Sequence, residues 1–261
     1  MFQDLKLHHR DGFITTNIPA LKDSKLRAAL QRFLVLPLSK RMKYSQKKLE
    51  VAFDGYSYMG QTDSLNQYDS DLLHSFVLSD ISDQENFPQP FQQYLSQEFP
   101  EQLLLIRELE KEILKRLGFS KFNIFYENHV SHMVSCNFYP ELTNSVHNIE
   151  LSERLSYHTD VSLFSIFLFG LESGFSYEKS SGDKVVLDSI DEVVLFPGHL
   201  MELMSNGKIK ALNHGVVLPE NRMEQRFSFA FFSLPKPQAN MQFGSFKGSG
   251  KDYYKQYLNQ F

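Results

Sequence analysis

From Val130 onward the chain is a succession of short strand-forming runs separated by turn-sized intervals, and this pattern restricts the fold more than any other feature. Val130 to Tyr139 alternates: Val130, His132, Val134, Cys136 and Phe138 fall on one face, and Met133, Ser135, Asn137 and Tyr139 on the other. Ser162 to Phe169 is an apolar run. Lys184 to Leu187 and Glu192 to Phe196 read as short strands, the second closed by Pro197-Gly198. Ser205-Asn206-Gly207 reads as a hairpin turn. Ala211 to Leu218 and Arg226 to Phe232 complete the set. Short strands at such intervals predict a barrel or a double-sheet roll.

The first half carries helical periodicity instead. Leu26, Leu30 and Phe33 recur at three- and four-residue spacing, with Pro37 as a stop. Between Pro100 and Leu117, Leu105, Leu109, Ile113 and Leu117 form a ridge with Ile106 and Leu114 beside it, and Gly118 stands where a C-cap belongs. The charged residues of this segment, Glu108, Glu110, Lys111, Glu112, Lys115 and Arg116, read as a solvated face. Residues 54–72 lack a period and read as loop or irregular strand. Helices first and strands second, without βαβ alternation, argue against a doubly wound sheet. The expected architecture is mainly β with supporting helices, in one domain over 1–261. Helical support and early strands occupy about 1–125, the β core about 126–235, and a C-terminal tail or helix 236–261.

Composition excludes several functional classes. With 261 residues, 42% hydrophobic and 22% charged, the chain can bury a sizeable core. A net charge of -4 with no strongly basic segment gives no reason to expect a nucleic-acid partner. No stretch reaches the ~18 apolar residues of a membrane span, and the N-terminus has no uninterrupted apolar segment of the signal-peptide kind. Cys136 is the sole cysteine, so a cytoplasmic, reducing location is the expectation.

The residues with chemistry lie in the strand-rich half. His158 and Asp160 are two apart, so on an extended segment they leave the same face, and His214 follows on a later strand. Two imidazoles and a carboxylate suit ferrous iron with open positions, and also zinc or manganese. Alone, a His-x-Asp pair is more simply a hydrogen-bonded turn and His214 a satisfied core histidine. Arg226 and Ser228 share one face of the last strand, where a buried guanidinium needs either an internal carboxylate or a ligand's. Asn137 and Tyr139 share a face of the strand before the His-x-Asp pair, the plain reading of Tyr139 being a core tyrosine with a satisfied hydroxyl.

In chain order, Asn137-Phe138-Tyr139-Pro140, His158-Thr159-Asp160-Val161-Ser162, Leu203-Met204-Ser205-Asn206-Gly207-Lys208, Asn213-His214-Gly215-Val216-Val217 and Arg226-Phe227-Ser228 resemble the isopenicillin N synthase-like branch of the iron(II)/2-oxoglutarate-dependent dioxygenases. Weaker similarity runs upstream through Asp11 to Pro19, Leu36 to Lys40 and Gly55-Tyr56. The resemblance implies a double-stranded β-helix, or jelly-roll, core. It implies that His158, Asp160 and His214 ligate Fe(II). It implies that Arg226 and Ser228 bind the distal carboxylate of 2-oxoglutarate with help from Tyr139, and that Asn137 lies near this cosubstrate. The implied reaction uses O2 and couples oxidative decarboxylation of 2-oxoglutarate to hydroxylation, or a related C–H oxidation, of a small-molecule substrate. An intact carboxylate at Asp160 leaves no place for a halide. Two departures stand out: Ser135 where many relatives have Arg, and His199 where they usually have Asp. An iron/O2 oxidase that does not use 2-oxoglutarate is a competing function, against which Arg226, Ser228 and Tyr139 argue. A non-catalytic iron/2-oxoglutarate-binding sensor of the same fold is another. Residues 54–72, Thr143 to Tyr157 and the C-terminal tail are the expected walls of a substrate pocket.

Overall fold

The computed structural model describes residues 4–46, 53–61, 70–142, 153–218 and 224–259. Helix α1 (Lys25–Leu34) starts at Ser24, whose hydroxyl accepts the Leu26 N–H, and it buries Leu26, Ala29, Leu30 and Phe33, a single helical stripe. Each large apolar side chain so removed from water stabilises by roughly 1.5–3 kcal/mol before entropy is counted. Pro37 separates α1 from the short α2 (Leu38–Arg41). Helix α3 (Gln92–Gln97) leads into the long α4 (Phe99–Arg116), which is closed by Gly118 at φ 79°. Helix α5 (Asn123–His129) then delivers the chain into the strands.

In chain order the strands are β1 (Leu7–Arg10), β2 (Phe13–Pro19), β3 (Gly55–Ser57), β4 (His74–Ser79), β5 (Val130–Tyr139), β6 (Glu153–His158), β7 (Phe164–Phe167), β8 (Phe175–Glu178), β9 (Lys184–Val186), β10 (Glu192–Pro197), β11 (His214–Val217), β12 (Arg226–Pro235), β13 (Asn240–Phe243) and β14 (Phe246–Ser249). An eight-stranded sheet has the order β1-β2-β10-β7-β12-β5-β4-β3, and a four-stranded sheet the order β6-β11-β8-β9. Their pairings are antiparallel. From β5 to β12 the chain passes back and forth between the sheets: β5, β7, β10 and β12 lie in the larger, and β6, β8, β9 and β11 in the smaller. This winding is a double-stranded β-helix, the jelly-roll that the sequence predicts. Helix α1 packs on β5 at the outer face of the larger sheet. The strand pair β5/β12 is the longest register, running without interruption from Arg226↔Tyr139 to Pro235↔Val130.

Two expectations need correction. Asn206-Gly207 is not a hairpin: it closes helix α6 (His199–Met204). Gly207 N–H returns to Glu202 O at 2.8 Å, and Asn206 and Gly207 take φ of 56° and 76°. Asn and Gly supply left-handed backbone equally well to a hairpin and to a helix C-terminus, so residue chemistry alone does not separate the two. Glu110 is not solvated: it is wholly buried, accepts the Tyr126 hydroxyl and lies 2.9 Å from His132 Nε2. It sits four residues after Ile106 and three before Ile113, on the buried stripe of α4. Asp80 completes the cluster, accepting the His132 N–H at 3.0 Å and the Arg107 guanidinium at 2.7 Å.

The irregular stretch from 54 includes β3, which extends the larger sheet through β4. The C-terminal segment is the β13/β14 hairpin followed by helix α7 (Gly250–Leu258), which Ser249 and Asp252 start with a reciprocal capping box. No helix among the described residues is long and apolar enough to cross a membrane.

Candidate metal and dicarboxylate site

His158 is the last residue of β6 and His214 the first of β11, and the two are paired across the smaller sheet. Asp160 lies in the turn that leaves β6. One ligand atom from each of the three falls within 4.8 Å of the others. His158 Nε2 is 3.4 Å from Asp160 Oδ1, and His214 Nε2 is 3.7 Å from Oδ2. Each imidazole turns its other nitrogen to a carbonyl: His158 Nδ1–H donates to Ser156 O at 2.8 Å, and His214 Nδ1–H to Leu212 O at 3.1 Å. A carbonyl can only accept, so these bonds place a proton on each Nδ1 and leave both Nε2 atoms turned toward the carboxylate. Ser165 donates a hydroxyl to Asp160 Oδ2.

Electrostatics follow from burial. His214, flanked by the rings of Phe175 at 5.3 Å and Phe196 at 4.6 Å, is pushed down to about 4 by loss of water and is neutral at pH 7. Burial would raise the Asp160 carboxyl, but the adjacent imidazoles and the Ser165 hydroxyl outweigh it and hold the group ionised below its ordinary value. Burial would lower His158, but its bond to the Asp160 charge prevails and raises it. A neutral and a titratable imidazole beside a carboxylate make a nitrogen–nitrogen–oxygen donor face suited to a divalent ion.

The turn bearing Asp160 is braced on its backbone. Tyr253 OH donates to Val161 O at 2.7 Å, Tyr257 OH donates to Thr159 O, and His199 N–H donates to Asp160 O at 2.7 Å. A Cβ on Gly198 would stand 2.4 Å from Ser162 O and 2.8 Å from Asp160 O, so only glycine lets the two backbones approach this closely. His199 itself lies with Nδ1 3.0 Å from the Tyr253 hydroxyl, joining α6 to α7.

The dicarboxylate candidates are united by the β5/β12 register. Arg226 faces Tyr139 and Ser228 faces Asn137, so all four side chains leave one face. The Arg226 guanidinium carbon is 5.1 Å from the centre of the Tyr139 ring. Arg226 is buried and has no carboxylate within ion-pair distance among the described residues. Nε donates to Ser173 O at 3.2 Å and Nη2 to Glu172 O at 3.4 Å, while Nη1 has no partner. Burial pushes the Tyr139 hydroxyl up to about 12, against the lowering charges of Arg226 and Arg154, so it stays protonated and can donate. Asn137 Oδ1 accepts the Ser135 hydroxyl at 3.0 Å, and Ser228 is half-buried. Val216, two residues beyond His214 on β11, packs with Tyr139, so the metal candidates and the cationic end adjoin between the sheets.

Sequence reasoning misses Ser165, the C-terminal tyrosines and Arg154. The first two act through turns and long-range packing that have no periodic signal; Arg154 is taken up below. Of the expected pocket walls, residues 62–69, 143–152 and 260–261 lie outside the described residues. A cavity of about 300 Å³ opens against Arg27, Phe169 and the Phe227–Phe229 segment of β12, so Ser228 contributes to its wall, and none of the three metal candidates does.

Comparison with known proteins adds three findings. Residues 130–235 match the 2OG-Fe(II) oxygenase superfamily. A bi-functional coumaroyl CoA and feruloyl CoA ortho-hydroxylase of Ruta graveolens is 25% identical over 236 residues, covering 87% of this chain and 62% of its own length. A leucoanthocyanidin dioxygenase of Malus domestica is 29% identical over 227 residues, covering 81% of this chain and 60% of its own. The chain thus spans about three-fifths of the length of these curated relatives. Among solved structures, a full-length Neurospora crassa protein in complex with alpha-KG superposes with a TM-score of 0.73 at 20% identity, over 95% of this chain and 85% of that one.

Proposed function

Because residues 130–235 match the 2OG-Fe(II) oxygenase superfamily, we propose that this chain is a non-haem iron(II) dioxygenase that couples oxidative decarboxylation of 2-oxoglutarate to hydroxylation of a small-molecule substrate. The observation that carries this reading is the adjacency of two half-sites. One is a three-donor face within 4.8 Å, and beside it lies a buried guanidinium with an unpartnered Nη1 and no carboxylate of its own among the described residues. A metal site alone fits many proteins, whereas a metal site next to a buried unpaired cation asks for an anionic chelator that reaches both.

Under this reading His158, Asp160 and His214 would hold the iron, and the donor set fits it: two neutral-nitrogen ligands and one ionised oxygen on one side of the ion. The chemistry that iron supplies when bound is oxygen activation, in which 2-oxoglutarate goes to succinate and carbon dioxide and the second oxygen atom enters a substrate C–H bond. The protein's part is positioning. The Nδ1 bonds to Ser156 and Leu212 keep the imidazoles aimed, and Ser165 orients the Asp160 carboxylate. Arg226 offers its free Nη1 to the distal carboxylate, with Ser228 and the protonated Tyr139 hydroxyl as further donors on the same face and Asn137 beside them. Phe175 and Phe196 exclude water from His214. The small-molecule acceptors in the names of the plant relatives favour a small organic substrate here.

The test is anaerobic calorimetry with Fe(II) followed by 2-oxoglutarate, then admission of oxygen and measurement of succinate. Binding of both ligands and oxygen-dependent succinate are expected for the unaltered protein, with loss of metal binding and of succinate in His214→Ala. Iron binding and oxygen consumption without succinate would identify an oxidase of the other kind, and unchanged turnover in His214→Ala would sink the ligand assignment.

A further inference from the structure

Arg154 is the largest of the fully buried side chains, at 1% relative exposure, and it comes from β6, the strand that ends at His158. Arg154 and His158 are four residues apart, so strand alternation places both on one face, toward the space between the sheets. The β11/β6 register runs Val216↔Leu155 and then Val217↔Glu153, leaving Arg154 as the extra residue of a β-bulge. A second register shift lies between this point and His158, and such irregularities recur beside sites. Here the side chain reaches across to the larger sheet: Nη2 donates to Glu224 O at 2.7 Å and to Pro140 O at 3.4 Å. Pro140 follows Tyr139 directly, and Glu224 stands two residues before Arg226, so the guanidinium sits at the end of β5/β12 where Tyr139 and Arg226 pair.

A buried carboxylate, Asp71, lies in the same region, where it accepts the Ser156 N–H at 2.9 Å and acts on Tyr139. Among the described residues Arg154 makes no ion pair, and its Nε is buried without a partner, as Nη1 of Arg226 is. The exposed Glu224 carboxylate acts on it only at longer range. Two buried guanidinium groups therefore flank one tyrosine, each bonded to backbone carbonyls and neither ion-paired among the described residues. Like charges in a water-poor site repel, and the arrangement is compensated when an anion with several acceptor lone pairs arrives between them. Burial and the Arg226 charge both depress the Arg154 pKa, which agrees with this proximity.

We infer that Arg154 is a second cationic residue of the cosubstrate pocket, presenting positive charge to the distal carboxylate of 2-oxoglutarate alongside Arg226. The inference rests on the function proposed above and names a residue of that same site. It contrasts with a purely structural role, in which Arg154 only ties the ends of β5 and β12 together.

The experiment compares two ligands on the Mn(II)-loaded full chain by calorimetry: 2-oxoglutarate, and 2-oxobutanoate, which keeps the chelating end and lacks the distal carboxylate. Arg154→Gln is expected to weaken 2-oxoglutarate about tenfold to a hundredfold while leaving 2-oxobutanoate within about twofold. Arg154→Lys, which keeps the charge and a donor, is expected to recover most of that loss and is the deciding variant if Arg154→Gln does not fold. Equal losses for both ligands would reduce Arg154 to a structural tie. Unchanged 2-oxoglutarate affinity would overturn the inference as well, and would place any carboxylate it meets on the substrate instead. If the unaltered protein binds Mn(II) but not 2-oxoglutarate, the parent reading fails; if it binds both and Arg154→Gln is silent, only the present inference fails.

Discussion

Replacing Arg226 by methionine separates what a residue does for the fold from what it does for a ligand, because the two effects are expected to have opposite signs. In the ligand-free protein the guanidinium is buried and, among the described residues, donates to two backbone carbonyls at 3.2 and 3.4 Å, both at the long end of the useful range. Each is worth about 0.5–1.5 kcal/mol. Against them stands the cost of holding an unpaired charge out of water, several kcal/mol per ion. Methionine fills a similar volume with no charge to desolvate. The substitution is therefore expected to leave the ligand-free protein as stable as before, or more stable by up to about 3 kcal/mol. At roughly 2–4 °C per kcal/mol for chains of this size, the melting temperature stays level or rises by several degrees.

The ligand-bound protein is expected to behave in the opposite way. A carboxylate gripped by Arg226 gains about two charge-assisted bonds at roughly 1.5–3 kcal/mol each, so their loss weakens 2-oxoglutarate binding by about 3–6 kcal/mol, or roughly a hundredfold to ten-thousandfold. Metal binding is expected to persist, since none of the three metal candidates bonds to Arg226 among the described residues. Thermal unfolding without ligand, calorimetry with Mn(II), and calorimetry with 2-oxoglutarate on the Mn(II)-loaded protein measure the three effects on one sample. A ligand-free melting point more than about 4 °C lower, equivalent to about 1–2 kcal/mol, would refute the claim that the charge is uncompensated. 2-Oxoglutarate affinity within tenfold of the unaltered protein would refute the grip.

Two further predictions concern buried groups away from the site. Asp54, buried beside Ser79 and Ser82, is pushed up to about 7 by burial from an ordinary 3.8. Its folded-state pKa is the higher one, so this contribution is fully present below about pH 4 and is lost as pH rises through 7, by at most about 4 kcal/mol. Asp54→Asn is expected to flatten the pH 4–7 part of a urea-denaturation series, and an unaltered slope would contradict the assignment. Glu110→Leu strands His132 and Tyr126 without their acceptor and is expected to cost about 3 kcal/mol or more. Adding His132→Leu is expected to recover part of that loss in a double-mutant cycle, and strict additivity would show that the two do not act as a pair.

How much of the site is legible in the sequence follows from where strand parity is continuous. Asn137, Tyr139, Arg226 and Ser228 are readable as same-face pairs because β5 and β12 run in unbroken register, so counting by two survives from sequence to structure. That the two pairs meet each other is not readable, since it depends on strand pairing between segments about ninety residues apart. His158 and Asp160 are legible as neighbours, but their orientation comes from a carbonyl two residues upstream of His158, a serine of β7 and tyrosines from the last helix. Glu110 escapes a reading that weighs charge type above position, although its place on the apolar stripe of α4 already argues for burial. Arg154 marks the physical boundary of the method. Counting by two from His158 does reach Arg154, but an arginine on a short strand with few apolar neighbours carries no signal that it is buried and not solvated. Even spacing along β6 thus puts a candidate metal imidazole at the end of the strand and a buried guanidinium four residues earlier on one face, and the burial of Arg154 is decided by the end of β5/β12 that it meets.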